Sequence, residues 1–103
     1  MIYIIWEFDV ESSQVALFEE IYSSHGAWAL LFGQSKNYHG TTLLKDHAKS
    51  ARYMTIDRWD KIDDFENFKT QNFEAYNNLD QQCEHFTIAE RKIGIFEDFQ
   101  YEK

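Results

Sequence analysis

The chain contains no proline and only four glycines in 103 residues. Collagenous, linker-rich and low-complexity architectures need one or both in quantity, so they are excluded. A single cysteine rules out a disulfide framework and a zinc site built on several thiolates. Basic residues are scarce: ten Lys and Arg stand against eighteen Asp and Glu, a formal net charge of −8. A protein that holds nucleic acid by neutralising phosphates needs the opposite balance. No apolar run reaches the length of a membrane span, and no basic segment precedes the apolar N-terminal stretch as it would in a secretory leader. These features predict one small acidic domain over 1–103, cytoplasmic, with neither nucleic acid nor membrane as partner.

What the chain has in excess is aromatic surface: nine Phe, six Tyr and three Trp, 17% of all residues. Their spacing gives the element order. Alternation over 2–10 predicts a strand, with Ile4, Trp6, Phe8 and Val10 on one face and Tyr3 and Ile5 opening the other. Val15, Phe18, Ile21 and Tyr22 form a helical stripe over 11–25, ended by Gly26. The segment 27–37 follows no period and is too apolar for a solvated loop; it reads as a short extra helix or a loop folded over the core. Strands follow at 38–46 and 51–59, then a long amphipathic helix over 60–82 and a last strand over 85–96, where Gly94 marks a bend or bulge. Residues 97–103 form a short acidic tail. The order strand–helix–strand–strand–helix–strand predicts an α+β, ferredoxin-like βαββαβ fold: a four-stranded antiparallel sheet with two helices on one face.

Two helices cover one face of such a sheet. The strands here carry large apolar groups on both faces, so the second face also needs a cover. A second copy of the sheet supplies it, and the expectation is a two-fold homodimer formed through the sheet face.

Several motifs resemble a known family. They are Tyr38-x-Gly40-Thr41 leading into Leu43-Leu44-x-Asp46, and Tyr53-x-Thr55-Ile56-Asp57-Arg58-Trp59-Asp60 ahead of an acidic, phenylalanine-bearing helix. Tyr76-x-x-Leu79-Asp80-x-x-Cys83-Glu84-x-x-Thr87 and Ile93-Gly94-x-Phe96 complete the pattern. Over about 2–96 the chain resembles the antibiotic biosynthesis monooxygenase-like members of the dimeric α+β barrel superfamily. The resemblance implies a barrel of two sheets and a monooxygenase that needs no cofactor, neither flavin nor metal. It implies a small aromatic or enolizable substrate whose carbanion reduces dioxygen directly. Two departures stand out: family monooxygenases that oxidise polycyclic phenols often use an asparagine on the first strand, as do haem-degrading members, which also use a histidine on the second helix, whereas 2–10 has no asparagine and 60–82 no histidine.

Within that frame His39 is the candidate base, since a pKa near 6.5 suits proton abstraction at neutral pH. Tyr38 and Arg52 are the candidate donors to a developing oxyanion, completing the expected catalytic set. Trp6, Trp28, Phe32, Tyr53 and Trp59 are the candidate walls of a pocket for a flat substrate, against the plainer reading that they are core. Arg58 reads as an ion-pair partner of Asp57 or Asp60. His25, His47 and His85 show no metal-ligand spacing, and Cys83, without a basic neighbour, reads as a small buried residue. A non-catalytic dimer of the same fold, binding a small ligand or a protein, is the alternative.

Overall fold

A computed structural model describes residues 1–101. Strands β1 (Ile2–Val10), β2 (Tyr38–Lys45), β3 (Arg52–Trp59) and β4 (Thr87–Glu97) form one antiparallel sheet in the order β2-β3-β1-β4. β1 is central because it is apolar on both faces at its start and bonds β3 on one side and β4 on the other. The helical connections cover the face that carries Ile4, Phe8, Tyr53 and Trp59, all buried. This is the ferredoxin-like α+β arrangement that the element order predicts.

Both crossovers differ from the expected single helices. The first is a 3-10 turn at Ser12–Gln14, then α1 (Val15–Tyr22) and a separate short α2 (Ala27–Phe32). α1 stops at a turn that only glycine can make: a Cβ on Gly26 would lie 2.2 Å from the Ile21 carbonyl oxygen. The second crossover breaks at Asn72 into α3 (Ile62–Gln71) and α4 (Phe73–Cys83). The Asn72 side-chain amide and backbone N–H both donate to the Phe68 carbonyl, at 3.0 and 2.9 Å, and so close α3. Asn77 and Asn78, where fraying is expected from propensity, remain helical.

The core falls into two clusters. One joins Phe8, Val10, Phe18, Tyr22, Tyr53 and Phe86; the other joins Ile2, Ile4, Phe32, Trp59 and Phe68. Trp6 and Trp28 pack against both. Aromatic contact is dense: Phe18 stacks on Tyr22 at 4.2 Å between centroids, and Phe32 meets Trp59 and Phe68 edge-on at 5.5 and 5.7 Å.

The opposite face of the sheet is uncovered. By register it carries Tyr3 and Ile5 of β1, Ile56 of β3, and the exposed Leu44 and Phe96. Beside this apolar half lies a charged one. Asp9 accepts from Arg52 Nε at 2.9 Å and from an Arg91 terminal nitrogen at 2.9 Å, while Arg91 Nε donates to Glu7 at 2.9 Å. The two guanidinium partners, Arg52 first, hold the Asp9 carboxyl well below the usual carboxylate range. After β4, Tyr3 donates to Asp98 Oδ1 at 2.7 Å. The last two residues of the acidic tail, 102–103, lie outside the described residues.

Phe18 has no solvent exposure and touches three other rings. Phe18→Ala is expected to lower the unfolding free energy by about 3–5 kcal/mol, read from urea denaturation.

Candidate functional site

Between the two core clusters the sheet and helices do not meet. They enclose a cavity of about 420 Å³. Its floor is the inner face of the sheet: Ile4, Trp6 and Phe8 from β1, Thr41 from β2, and Thr55 and Asp57 from β3. Its walls are Tyr22, Trp28 and Phe32 from α1 and α2, with Phe65 and Tyr76 from α3 and α4. Trp28 and Phe32 share a helix face because they are four residues apart, and their rings sit 5.6 Å apart. The exposed Lys69, Asp80 and Glu90, with the partly buried Asn77, line the remaining side, which opens to solvent.

One acid sits among these rings. Inward alternation on β3 runs Tyr53, Thr55, Asp57, Trp59, so Asp57 takes a position that packing would give to an apolar residue. Burial pushes its carboxyl up to about 6, while a hydrogen bond from Thr41 and the charge of Arg58 pull it down. Thr41 Oγ1 donates to Asp57 Oδ1 at 2.5 Å. A hydroxyl has one proton, so the 2.5 Å contact between Tyr38 and Thr41 runs with Tyr38 donating. The chain Tyr38–Thr41–Asp57 is therefore directed, and among the described residues Asp57 Oδ2 has no hydrogen-bond partner.

A bulge builds that chain. Tyr38 pairs with Trp59, but Gly40 pairs with Arg58, leaving His39 as the extra residue of β2. Gly40 has φ +112°, a conformation that side chains with a Cβ rarely adopt. Strict alternation would put Tyr38 on the outer face with Thr42 and Leu44. The bulge turns it inward beside Thr41.

The same bulge moves His39 away. Its Nε2 lies 2.6 Å from Asp60 Oδ1 at the surface, outside the cavity. Arg52 stands on the far side of the sheet, engaged with Asp9. The expected catalytic trio is thus dispersed, with only Tyr38 linked to the cavity, through Thr41. Of the expected walls, Trp6, Trp28 and Phe32 line the cavity. Tyr53 lies in the core with its hydroxyl on Glu19, and Trp59 is fully enclosed by Phe32, Tyr38, Phe65 and Phe68. The indole N–H groups of Trp28 and Trp59 are buried without an acceptor among the described residues. Arg58 forms no ion pair with Asp57, because successive residues on a strand point to opposite faces. Residue-type reasoning favoured histidine and gave Asp57 only the place of an ion-pair partner, not its position in the cavity. The signal was a lone carboxylate in an apolar alternation.

Thr41→Val removes the bond that lowers the Asp57 pKa, so the value is expected to rise above that of the parent in a carboxyl-carbon NMR titration. Asp57 binds its proton more tightly folded than unfolded. The stability it contributes is complete below the ordinary aspartate pKa of about 4 and is lost as pH rises through its folded value of about 6. Asp57→Asn is therefore expected to stabilise the fold at about pH 7.5 by roughly 1–3 kcal/mol, a gain that shrinks toward about pH 4 in urea melts.

No protein-family model matches the chain, and no curated protein does. Solved structures do. SnoaB, a cofactor-independent oxygenase from Streptomyces nogalater, matches with a TM-score of 0.79 at 20% identity, over 97% of this chain and 94% of that one. A Deinococcus radiodurans protein classed with the antibiotic biosynthesis monooxygenases matches at 0.77 with 9% identity, over 100% and 97%. A NIPSNAP family protein from Agrobacterium tumefaciens matches at 0.71 with 10% identity, over 97% and 94%. The chain thus has the α+β fold shared by the antibiotic biosynthesis monooxygenase-like proteins.

Proposed function

We propose that this protein is a cofactor-independent oxygenase of a small, flat aromatic or enolizable substrate, with Asp57 as its base. The observation that carries this is a carboxylate with one free oxygen on the floor of an aromatic cavity. The likeness to SnoaB, itself described as a cofactor-independent oxygenase, supports it.

Chemistry of this kind asks three things of the protein: a base, a dry pocket and a donor for oxyanion charge. Asp57 Oδ2 takes a proton from an acidic C–H of the substrate. The carbanion gives one electron to dioxygen, and the resulting radical and superoxide combine to a peroxide at the same carbon. Cleavage of the O–O bond with loss of the second C–H proton leaves a carbonyl and one water. Both electron pairs come from the substrate, so the overall change is CH₂ plus O₂ to C=O plus H₂O. The proton held by Asp57 returns to the departing oxygen. The Thr55 hydroxyl, on the same face of β3 as Asp57 and lining the cavity, is the donor offered to the substrate's developing oxyanion. The Thr41 bond fixes the rotamer of Asp57 and keeps Oδ2 aimed at the substrate.

The protein acts as a homodimer through the outer face of its sheet, where Ile5, Ile56, Leu44 and Phe96 meet the same residues of a second copy. In the Glu7–Asp9–Arg52–Arg91 network on that face each guanidinium meets a carboxylate, while Arg58, also outward, has no ion pair within one chain among the described residues.

With a hydroxylated polycyclic ketone as substrate, an oxygen electrode is expected to show uptake that Asp57→Asn slows by about 100-fold or more. The parent rate should fall as pH drops through about 6, where the base becomes protonated. His39→Ala, which removes only a surface hydrogen bond to Asp60, keeps the parent rate. Equal turnover by Asp57→Asn would sink the assignment. Light scattering at micromolar concentration is expected to give twice the mass of one chain, and Ile56→Glu with Leu44→Glu to give a monomer that stays folded.

A further inference from the structure

The ionisable groups around the cavity are unequal. Asp57, Asp80 and Glu90 line it, and Lys69 is the one cation among the lining residues. Asp80 of α4 and Glu90 of β4 are both exposed and line the open side of the cavity. Lys69 does not neutralise them through an ion pair within 4.0 Å; its ammonium lies over rings, 5.1 Å from the Tyr76 centroid and 5.7 Å from that of Phe65. The arginines that could receive a ligand carboxylate are elsewhere, Arg52 and Arg91 being held by Glu7 and Asp9 on the far face. A net charge of −8 on the whole chain adds a field of the same sign.

Resting on the reading of the cavity as the substrate site, we infer that it selects by charge: its preferred ligand is a flat aromatic bearing a protonated amine. The ring lies between Trp6, Trp28 and Phe32, over Asp57, and the ammonium points to the opening. There it meets Asp80 and Glu90 and the face of Tyr76. The position of Lys69 is itself the argument that this rim accepts an ammonium, because the chain's own cation already rests on it. A ligand amine competes for that ring face with two carboxylates on its side. An anionic ligand finds three carboxylates against the single ammonium of Lys69.

The test uses three isosteric probes, naphthylmethylammonium, naphthylmethanol and naphthoate, titrated into the dimer with quenching of tryptophan fluorescence and calorimetry. At low salt the ammonium is expected to bind about tenfold tighter than the alcohol and about a hundredfold tighter than the carboxylate. Raising the salt to about 0.5 M should narrow these ratios, since Asp80 and Glu90 are exposed. Asp80→Asn with Glu90→Gln should bring the ammonium to the affinity of the alcohol. Lys69→Met should tighten the ammonium severalfold by freeing the Tyr76 face. Naphthoate binding as tightly as the ammonium, or a preference that survives the double substitution, overturns the inference. If the alcohol binds and charge makes no difference, the inference falls while the ligand cavity stands. If no probe binds, both fall together.

Discussion

A charged carboxylate cannot be packed against hydrocarbon without a partner, and the architecture around Asp57 follows from that constraint. Between its two aromatic clusters the core stops, and the inner face of the sheet presents Thr41, Thr55 and Asp57 where neighbouring positions present Ile4, Phe8 and Trp59. Closing the helices onto those polar groups would strip water from Asp57 and leave only the Thr41 bond in return. The gap relieves this conflict. Trp6 and Trp28, long enough to touch both clusters, hold its sides apart. The raised pKa of Asp57 is the residue of the same conflict: the carboxyl is desolvated enough to resist ionisation, yet bonded enough to ionise near neutrality.

Strand alternation gives the two faces of one sheet different work. The inner face places Asp57 among rings, with Glu90, opposite Phe8, at the cavity's exposed side. The outer face gathers Glu7 and Asp9 with Arg52 and Arg91, so that each of these two guanidiniums meets a carboxylate, and depresses the Asp9 pKa by the same hydrogen bonds. Asp9 and Asp57, five register positions apart on neighbouring strands, thus differ in character because of which side they face. β1 carries Glu7 and Asp9 outward and Trp6 and Phe8 inward.

How much of this was legible in the chain depends on the period of each signal. Strand order and the placement of both crossovers follow from simple alternation and from the stripe of Phe18, Phe65 and Phe68. The break at Asn72 was not legible, because no residue there forbids a helix; the break needs a side-chain amide returning to Phe68. The inward turn of Tyr38 was also hidden. A one-residue bulge reverses the face of everything before it, and only Gly40 hints that one is present. Trp6, Trp28 and Phe32 were named from residue type and do line the cavity, whereas Tyr53 and Trp59, equal in type, are sealed in the core. Aromatic identity says nothing about which rings surround a hole. Asp57 was visible as an acid interrupting an apolar face, and histidine chemistry drew attention from it.

The divided crossovers bear on how such a protein diversifies. Each cavity wall belongs to a helix of six to eleven residues, anchored at both ends by its own turn. A change in α2 or α4 can therefore reshape the walls where they meet, at the edge-on contact of Trp28 with Tyr76, 5.2 Å between centroids. The sheet beneath, together with whatever lies against its outer side, keeps its register throughout. Descendants of this chain could exchange one ligand for another by re-setting a single short segment, with the floor of the pocket inherited intact.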